Sequence, residues 1–251
     1  MPGPDLLTSQ GLRLDGRRPN ELRRLRCKLG VFTQPDGSAY LEQGNTKVLA
    51  AVYGPHQASK SKMSTEAVIV NCQYSMATFS TGERKNRPRG DRKSQEMSQH
   101  LRQALTAAIK TELYPRSQID IYVEVLQADG GAYCACVNAA TLALIEAGIP
   151  LRAYVCACTA SMAWQGDKPE PLVDVGHVEE AAGGVCLTVA ALPSTGNIAL
   201  IDMSHRLHMD YFEVVLERAM QGCRDIEILL DKAVREHLAE AWSKDEVVVT
   251  V

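Results

Sequence analysis

Aromatic side chains are scarce in this sequence: three Phe, two Trp and eight Tyr make up 5% of its 251 residues. A stacking platform for nucleic-acid bases needs several aromatic faces in succession, so base stacking is not expected to be its main binding device. No apolar run approaches the roughly 20 residues of a membrane-spanning helix, and no membrane partner is expected. The eight cysteines (Cys27, Cys72, Cys134, Cys136, Cys156, Cys158, Cys186 and Cys223) include no Cys-x-x-Cys pair, which argues against a zinc ribbon. None of the histidines His56, His100, His177, His205, His208 and His237 stands at metal-ligand spacing from another ligand. No Ser-His-Asp order and no nucleophile elbow is visible, and no metal or other cofactor is expected. The opening MPGPDLLTSQ lacks the basic flank and apolar stretch of a secretory leader. The cysteines therefore read as reduced, mostly buried small hydrophobes of an intracellular protein.

What the sequence does have is charge divided by sign. Hydrophobic residues at 45% and charged residues at 23% are ordinary for a globular protein, and the net charge is only −3. Residues 1–110, however, carry 18 basic and 9 acidic side chains, and residues 111–251 carry 9 basic and 21 acidic ones. Such asymmetry suggests a polyanion at the first half, or a partner for each sign. The positives cluster twice. Seven lie between Arg13 and Lys28, and six (Arg84, Lys85, Arg87, Arg89, Arg92 and Lys93) lie in the stretch STGERKNRPRGDRKSQE of residues 80–96. Gly82, Pro88 and Gly90 interrupt regular structure there.

Patterning supplies the frame. CKLGVFTQ, AYLEQ and TKVLAAVYG predict three short strands joined at PDGS and GN. EAVIVNCQYSMA alternates as a half-buried strand does, and SQIDIYVEVLQ alternates strictly through Ile119, Ile121, Val123 and Val125. Between them Met97, Leu101, Leu105, Ala108 and Ile109 recur at helical spacing, which predicts a helix from about Ser94 to just before Tyr114-Pro115. An Ala-rich helix, YCACVNAATLALIEA, comes after the ADGG break and closes at Gly148 and Pro150. AYVCACTASMAW, PLVDV, VCLTVAAL and NIALIDM read as further strands, with QGDKPEP and PSTGN as connections. A long amphipathic helix is predicted from about Asp210 to Trp242, and the tail SKDEVVVTV falls outside every pattern. The fold class is α+β with mixed sheets, divided at residue 150 into a basic first domain (1–150) and an acidic second domain (151–251) with the long helix.

Three places could carry chemistry. The basic loop suits phosphate backbones without base readout, and Arg92-Lys93 sits where it meets a helix N-terminus, which itself favours anions; Tyr74 and Phe79 are the only aromatics nearby. The strand-turn-helix LQADGGAYCACVNAA could present backbone amides to a phosphate at Gly130-Gly131, though a double glycine serves equally as a tight connection. Directly after it stand Ala132 and Tyr133, which offer no cation. In DVGHVEEAAGG, Asp174 and Glu180 lie six apart, with His177 and Glu179 between. Such acids can hold Mg²⁺ or donate a proton beside a phosphodiester, and they also decorate ordinary turns.

Taken in order, LDGRRPNELR, VFTQPDGSAYLEQGNTKVLAAVYGP, FSTGERK, GDRKSQE, LYPRSQIDIYVEVLQADGG and HVEEAAGG resemble the RNase PH family from about residue 5 to 240. More narrowly, they resemble the RNase PH-type subunits of the eukaryotic RNA exosome core, in the group most similar to the catalytic subunit of the archaeal exosome. The resemblance implies an RNase PH fold (ribosomal protein S5 domain 2-like) in two βαβα-like halves. It implies a hetero-hexameric ring with other RNase PH-like subunits, S1/KH-type cap subunits and a hydrolytic exoribonuclease, single-stranded RNA in the central channel, and residence in nucleus, nucleolus and cytoplasm.

Active members attack the 3′ terminal linkage with inorganic phosphate, held by a Ser or Thr and an Arg directly after the ADGG turn. Here Ala132 and Tyr133 occupy those positions, and Asp174 and Glu180 stand where two Asp residues are expected. Losing a charge-assisted anion contact costs a few kcal/mol, or roughly 100-fold in affinity. The expectation is therefore a degenerate site and no catalysis, with an active phosphate-dependent exoribonuclease as the alternative. By the same resemblance Arg84, Lys85, Arg87, Arg89, Arg92 and Lys93 are expected to bind RNA, and Glu66 replaces an Arg that active relatives often carry.

Overall fold

The computed structural model of the chain describes residues 6–8, 10–58, 67–84, 90–165 and 168–248. Strands β1 (Leu25–Leu29), β2 (Gly37–Gln43), β3 (Thr46–Gln57) and β4 (Ile69–Met76) lead to helix α1 (Arg92–Ala108), then strand β5 (Ser117–Gln127) and helix α2 (Ala132–Glu146). Strands β6 (Cys156–Gln165) and β7 (Lys168–Val173), the short helix α3 (His177–Ala181), strands β8 (Cys186–Leu192) and β9 (Asn197–Ser204), and helix α4 (Met209–Val248) complete the chain. The first sheet runs β1-β2-β3-β5-β4 and the second β7-β6-β8-β9. Among the described residues only β4 and β5 pair in parallel, the rest of both sheets being antiparallel. A parallel pair needs a crossover, and α1 supplies it. The expected α+β class with a mixed sheet is what forms.

The alternation seen in the sequence sorts the first sheet into two faces. Val48, Ala50, Val52, Ile119, Ile121, Val123 and Val125 are all at most 1% exposed, while Leu49, Tyr53, Tyr122 and Glu124 occupy the other face. The buried face receives α2, which also packs against the second sheet. This explains why α2 is apolar on every side: each residue from Cys134 to Leu144 is buried. Small residues let it come close, and a Cβ on Gly37 would sit 2.2 Å from the Ala143 carbonyl oxygen. Asn138 ties α2 to β6, donating to the Ala157 carbonyl at 3.2 Å and accepting from the Ala157 amide at 2.9 Å. The division at residue 150 thus leaves one sheet on each side, but a single hydrophobic core crosses it.

Four elements differ from the pattern-based expectation. Strand β1 stops at Leu29 rather than running through CKLGVFTQ, because Gly30 turns the chain at φ 64°. Helix α1 ends at Ala108, short of Leu113. Ile109 is extended (φ −71°, ψ 139°) and bridges to Leu151, leaving Thr111–Leu113 as one 3-10 turn. KPEP of the expected loop QGDKPEP lies in β7, an edge strand, where a proline's missing donor faces no neighbour. Helix α4 continues to Val248 and so takes in most of the tail SKDEVVVTV. Its stripe of Val215, Ala219, Cys223, Ile226, Leu230 and Val234 is buried, whereas Leu238 is 49% exposed. All eight cysteines are free, and seven are buried.

Candidate functional site

The corner after β5 is built from two left-handed glycines, Gly130 at φ 77° and Gly131 at φ 61°, the second being the N-cap of α2. Its carbonyls are tied from below. Arg23 donates to the Asp129 carbonyl at 2.7 Å and to the Gly130 carbonyl at 3.2 Å. The Thr46 hydroxyl donates to the Gly130 carbonyl at 2.8 Å and accepts from the Asp129 amide at 3.1 Å. Gly130 also lies against the acidic motif, since a Cβ there would be 2.5 Å from the Gly176 carbonyl carbon and 2.6 Å from the His177 amide. The ADGG corner and the DVGHVEE loop, some 45 residues apart in sequence, therefore meet face to face.

No side chain caps the N-terminus of α2, so its leading amides carry the partial positive charge common to such ends. Whether that charge can hold a free anion depends on the first two residues of the helix. Ala132 contributes only a methyl group. The Tyr133 ring leans edge-on against His100 of α1, centroids 6.2 Å apart. Its hydroxyl is buried with no hydrogen-bond partner among the described residues, and burial pushes its pKa well up. The helix that follows the corner thus opens with a methyl group and a neutral phenol packed toward α1. The guanidinium nearest the double glycine belongs to Arg23, and it is already committed.

That commitment is to Asp174. The Asp174 carboxylate is 1% exposed and accepts from the Arg23 guanidinium at 2.7 Å, the Arg23 amide at 2.8 Å and the Gln43 side-chain amide at 2.8 Å. Burial pushes its pKa up, but the Arg23 donors and the Arg17 charge outweigh that and hold it below the ordinary carboxylate value. Its backbone, at φ 53°, turns its carbonyl toward Arg13 (3.0 Å) and Arg17 (3.2 Å). Glu179 is also buried. It pairs with Arg13 and accepts from the Gly176 amide at 2.9 Å. Glu180, by contrast, is exposed on α3.

Asp174 and Glu180, six apart in sequence, are thus split between core and solvent. Among the described residues no three His, Cys, Asp or Glu side chains are grouped as a metal site. The three-arginine clamp is not evident from the sequence. Its signal was the basic run from Arg13 in a chain whose second half is acidic. Part of that run answers an internal anion rather than an external one.

The basic stretch begins beside this corner, where the Ala128 amide donates to the Ser80 carbonyl at 2.9 Å. Asp91 caps α1, its carboxylate accepting from the Arg92 amide at 2.8 Å. Arg92 and Lys93 occupy the first turn and are exposed, as is Arg84. No acid stands in that turn. Two cations at the positive end of a helix cost about 0.3–1 kcal/mol each, a placement that a bound anion relieves. Lys85, Arg87, Arg89 and Glu66 lie outside the described residues.

Comparison with known proteins gives this geometry a context. The family model described as the 3′ exoribonuclease family, domain 1, matches residues 21–150. Human exosome complex component RRP41 is 59% identical over 243 residues, spanning 96% of this chain and 98% of the human protein. The Arabidopsis thaliana RRP41 homolog is 46% identical over 236 residues, covering 93% and 95%. The exosome component Rrp41 of the archaeon Methanopyrus kandleri is 41% identical over 241 residues, covering 96% and 97%. In fold, the chain resembles the crystal structure of rice Rrp46, with a TM-score of 0.77 at 24% identity over 88% of this chain and 99% of that one.

Proposed function

The chain belongs to the RNase PH family, among its exosome-component members, and from that premise we propose that it is a non-catalytic subunit of the exosome core ring that guides single-stranded RNA. The observation that carries this reading is the composition of the ADGG corner. The helix begins with Ala132 and an uncharged Tyr133 whose ring packs against His100, and the adjacent guanidinium of Arg23 is paired with Asp174 at 2.7 Å. Inorganic phosphate arriving there meets helix amides and, from the first two residues of the helix, Ala132 and Tyr133, no cation of the kind that charge-assisted binding relies on. Asp174 is buried and already accepts three hydrogen bonds, two of them from Arg23, so little of its acceptor capacity is left for a metal or a leaving oxygen.

Guidance needs only the exposed cations. Arg92 and Lys93, with Arg84 and the loop cations Lys85, Arg87 and Arg89, contact the RNA backbone regardless of sequence. The subunit thereby lines a channel in a hetero-hexamer of RNase PH-like subunits, under S1/KH-type caps. It hands RNA to a hydrolytic 3′→5′ exoribonuclease, in nucleus, nucleolus and cytoplasm. The test is a reconstituted ring without the hydrolytic nuclease, given 3′-labelled RNA with and without inorganic phosphate. No nucleoside diphosphate is expected in either case, and its release only when phosphate is supplied overturns the reading.

A further inference from the structure

One large concave surface takes no part in the site above. It lies on the outer face of the first sheet, the face that α2 does not cover, and encloses about 970 Å³. Its floor is the register row of Ala51 on β3 and Tyr122 on β5, beside Leu49 paired with Glu124. Tyr53 and Tyr122 meet edge to face, centroids 5.8 Å apart. Both remain exposed, at 38% and 39%, and Phe32 at the rim is 46% exposed. Large aromatic rings left in the open on a concave sheet face are the anchors of a protein–protein contact rather than a scattering of surface residues.

The charge of this surface selects the partner. Among the described residues its lining contains Asp36, Asp120 and Glu124, one His56 and no Lys or Arg. Asp120 takes hydrogen bonds from Asn71 at 3.1 Å and Gln118 at 2.7 Å, with His56 at 3.4 Å, and Glu124 takes one from Ser75. These partners are neutral amides and a hydroxyl, with His56 the sole titratable one among the described residues, and no described Lys or Arg pairs with the acids. A phosphate backbone is repelled here. A guanidinium or ammonium is attracted both by the acids and by the faces of Tyr53 and Tyr122.

We propose that this groove docks an extended segment of another protein subunit that carries one or two Arg or Lys residues among apolar ones. The inference rests on membership among exosome components, which act in a complex, and not on the absence of catalysis.

The test places a photoreactive benzoylphenylalanine at Tyr122 in the reconstituted multi-subunit complex and maps the protein adducts. An adduct to a single segment bearing Arg or Lys within about three residues of the link is expected. Glu124→Gln with Asp120→Asn keeps the hydrogen-bond acceptors while removing the charges, and should lower adduct yield at least fivefold with the melting temperature unchanged. Glu124→Lys should abolish the adduct, and an Arg→Glu change in the captured segment should restore it. An adduct to RNA, an adduct to a segment without a cation, no protein adduct, or a yield insensitive to the charge changes overturns the proposal. Phosphate-dependent cleavage is read separately, from nucleoside diphosphate release by the ring, and affects none of these outcomes.

Discussion

Arg23 and Asp174, 151 residues apart, form a buried ion pair of 2.7 Å that joins the strand-leading segment of the first half to the acidic loop of the second. The same guanidinium holds the carbonyls of the ADGG corner. One side chain therefore sets the spacing between the two motifs that an active relative would use for catalysis.

Removing one member of this pair should be costly. Arg23→Met leaves Asp174 buried and uncompensated, and a loss of about 3–5 kcal/mol is expected. Urea or thermal unfolding of the purified chain or its assembled complex measures it. The double variant Arg23→Met with Asp174→Leu should recover part of the loss, because no buried charge then remains unpaired.

Acid should act through the same pair. The Asp174 carboxyl titrates below its ordinary value in the folded chain. Its stabilising contribution is therefore complete above the unfolded value of about 3.9 and disappears as pH falls through the lower folded value. Unfolding free energy should drop more steeply below about pH 4 in the natural chain than in Asp174→Asn, which is less stable at neutral pH but lacks that titration.

Gly130 and Gly16 separate strain from crowding. Both have positive φ, 77° and 83°, but a Cβ on Gly16 meets nothing within 4 Å, while one on Gly130 meets the backbone of Gly176 at 2.5 Å. Gly16→Ala should cost about 1–2 kcal/mol from the left-handed backbone alone. Gly130→Ala adds overpacking, for about 2–5 kcal/mol in all, and pushes the ADGG corner off the acidic loop. Equal losses at the two positions would show that the corner and the loop are not in contact.

The Tyr133 hydroxyl is buried and has no partner among the described residues, so Tyr133→Phe removes a desolvation cost and keeps the ring against His100. Stability should stay the same or rise by up to about 1 kcal/mol. A clear loss would mean that the hydroxyl has a partner in the assembled complex.

Arg92→Gln and Lys93→Gln should weaken RNA binding to the assembled ring regardless of RNA sequence. The slope of log affinity against log salt should fall by about 1 for each phosphate contact removed. Unchanged slopes would assign the RNA path to other subunits.

The parts of this molecule visible in its sequence are those governed by near neighbours. Ile119, Ile121, Val123 and Val125 declare a strand by alternation, and all four are buried. Leu101 and Leu105 declare a helix by spacing, and both are fully buried. Helix α2 is recognisable from the glycines that flank it, although burial on every side leaves it without an amphipathic stripe. Local pattern fails where distant residues decide the outcome. Proline in KPEP suggests a loop because an edge strand is defined only by the sheet it joins. Arg13 and Arg23 resemble solvent-facing cations because their counter-ions stand 166 and 151 residues away. At the candidate site, the lack of a basic residue at Ala132 and Tyr133 is legible residue by residue, whereas the withdrawal of Asp174 into the core depends on Arg23 and Gln43 folding over it.

The separation between Arg13 and Glu179 sets an order on biosynthesis. A ribosome delivers Arg13 and Arg23 first, and their counter-ions Glu179 and Asp174 only after some 150 further residues. Contacts so distant in sequence close last. Until then the nascent chain displays a cationic leading segment beside the nucleic acid of the machine that makes it, and its own acidic loop claims those side chains only once the second half is being made.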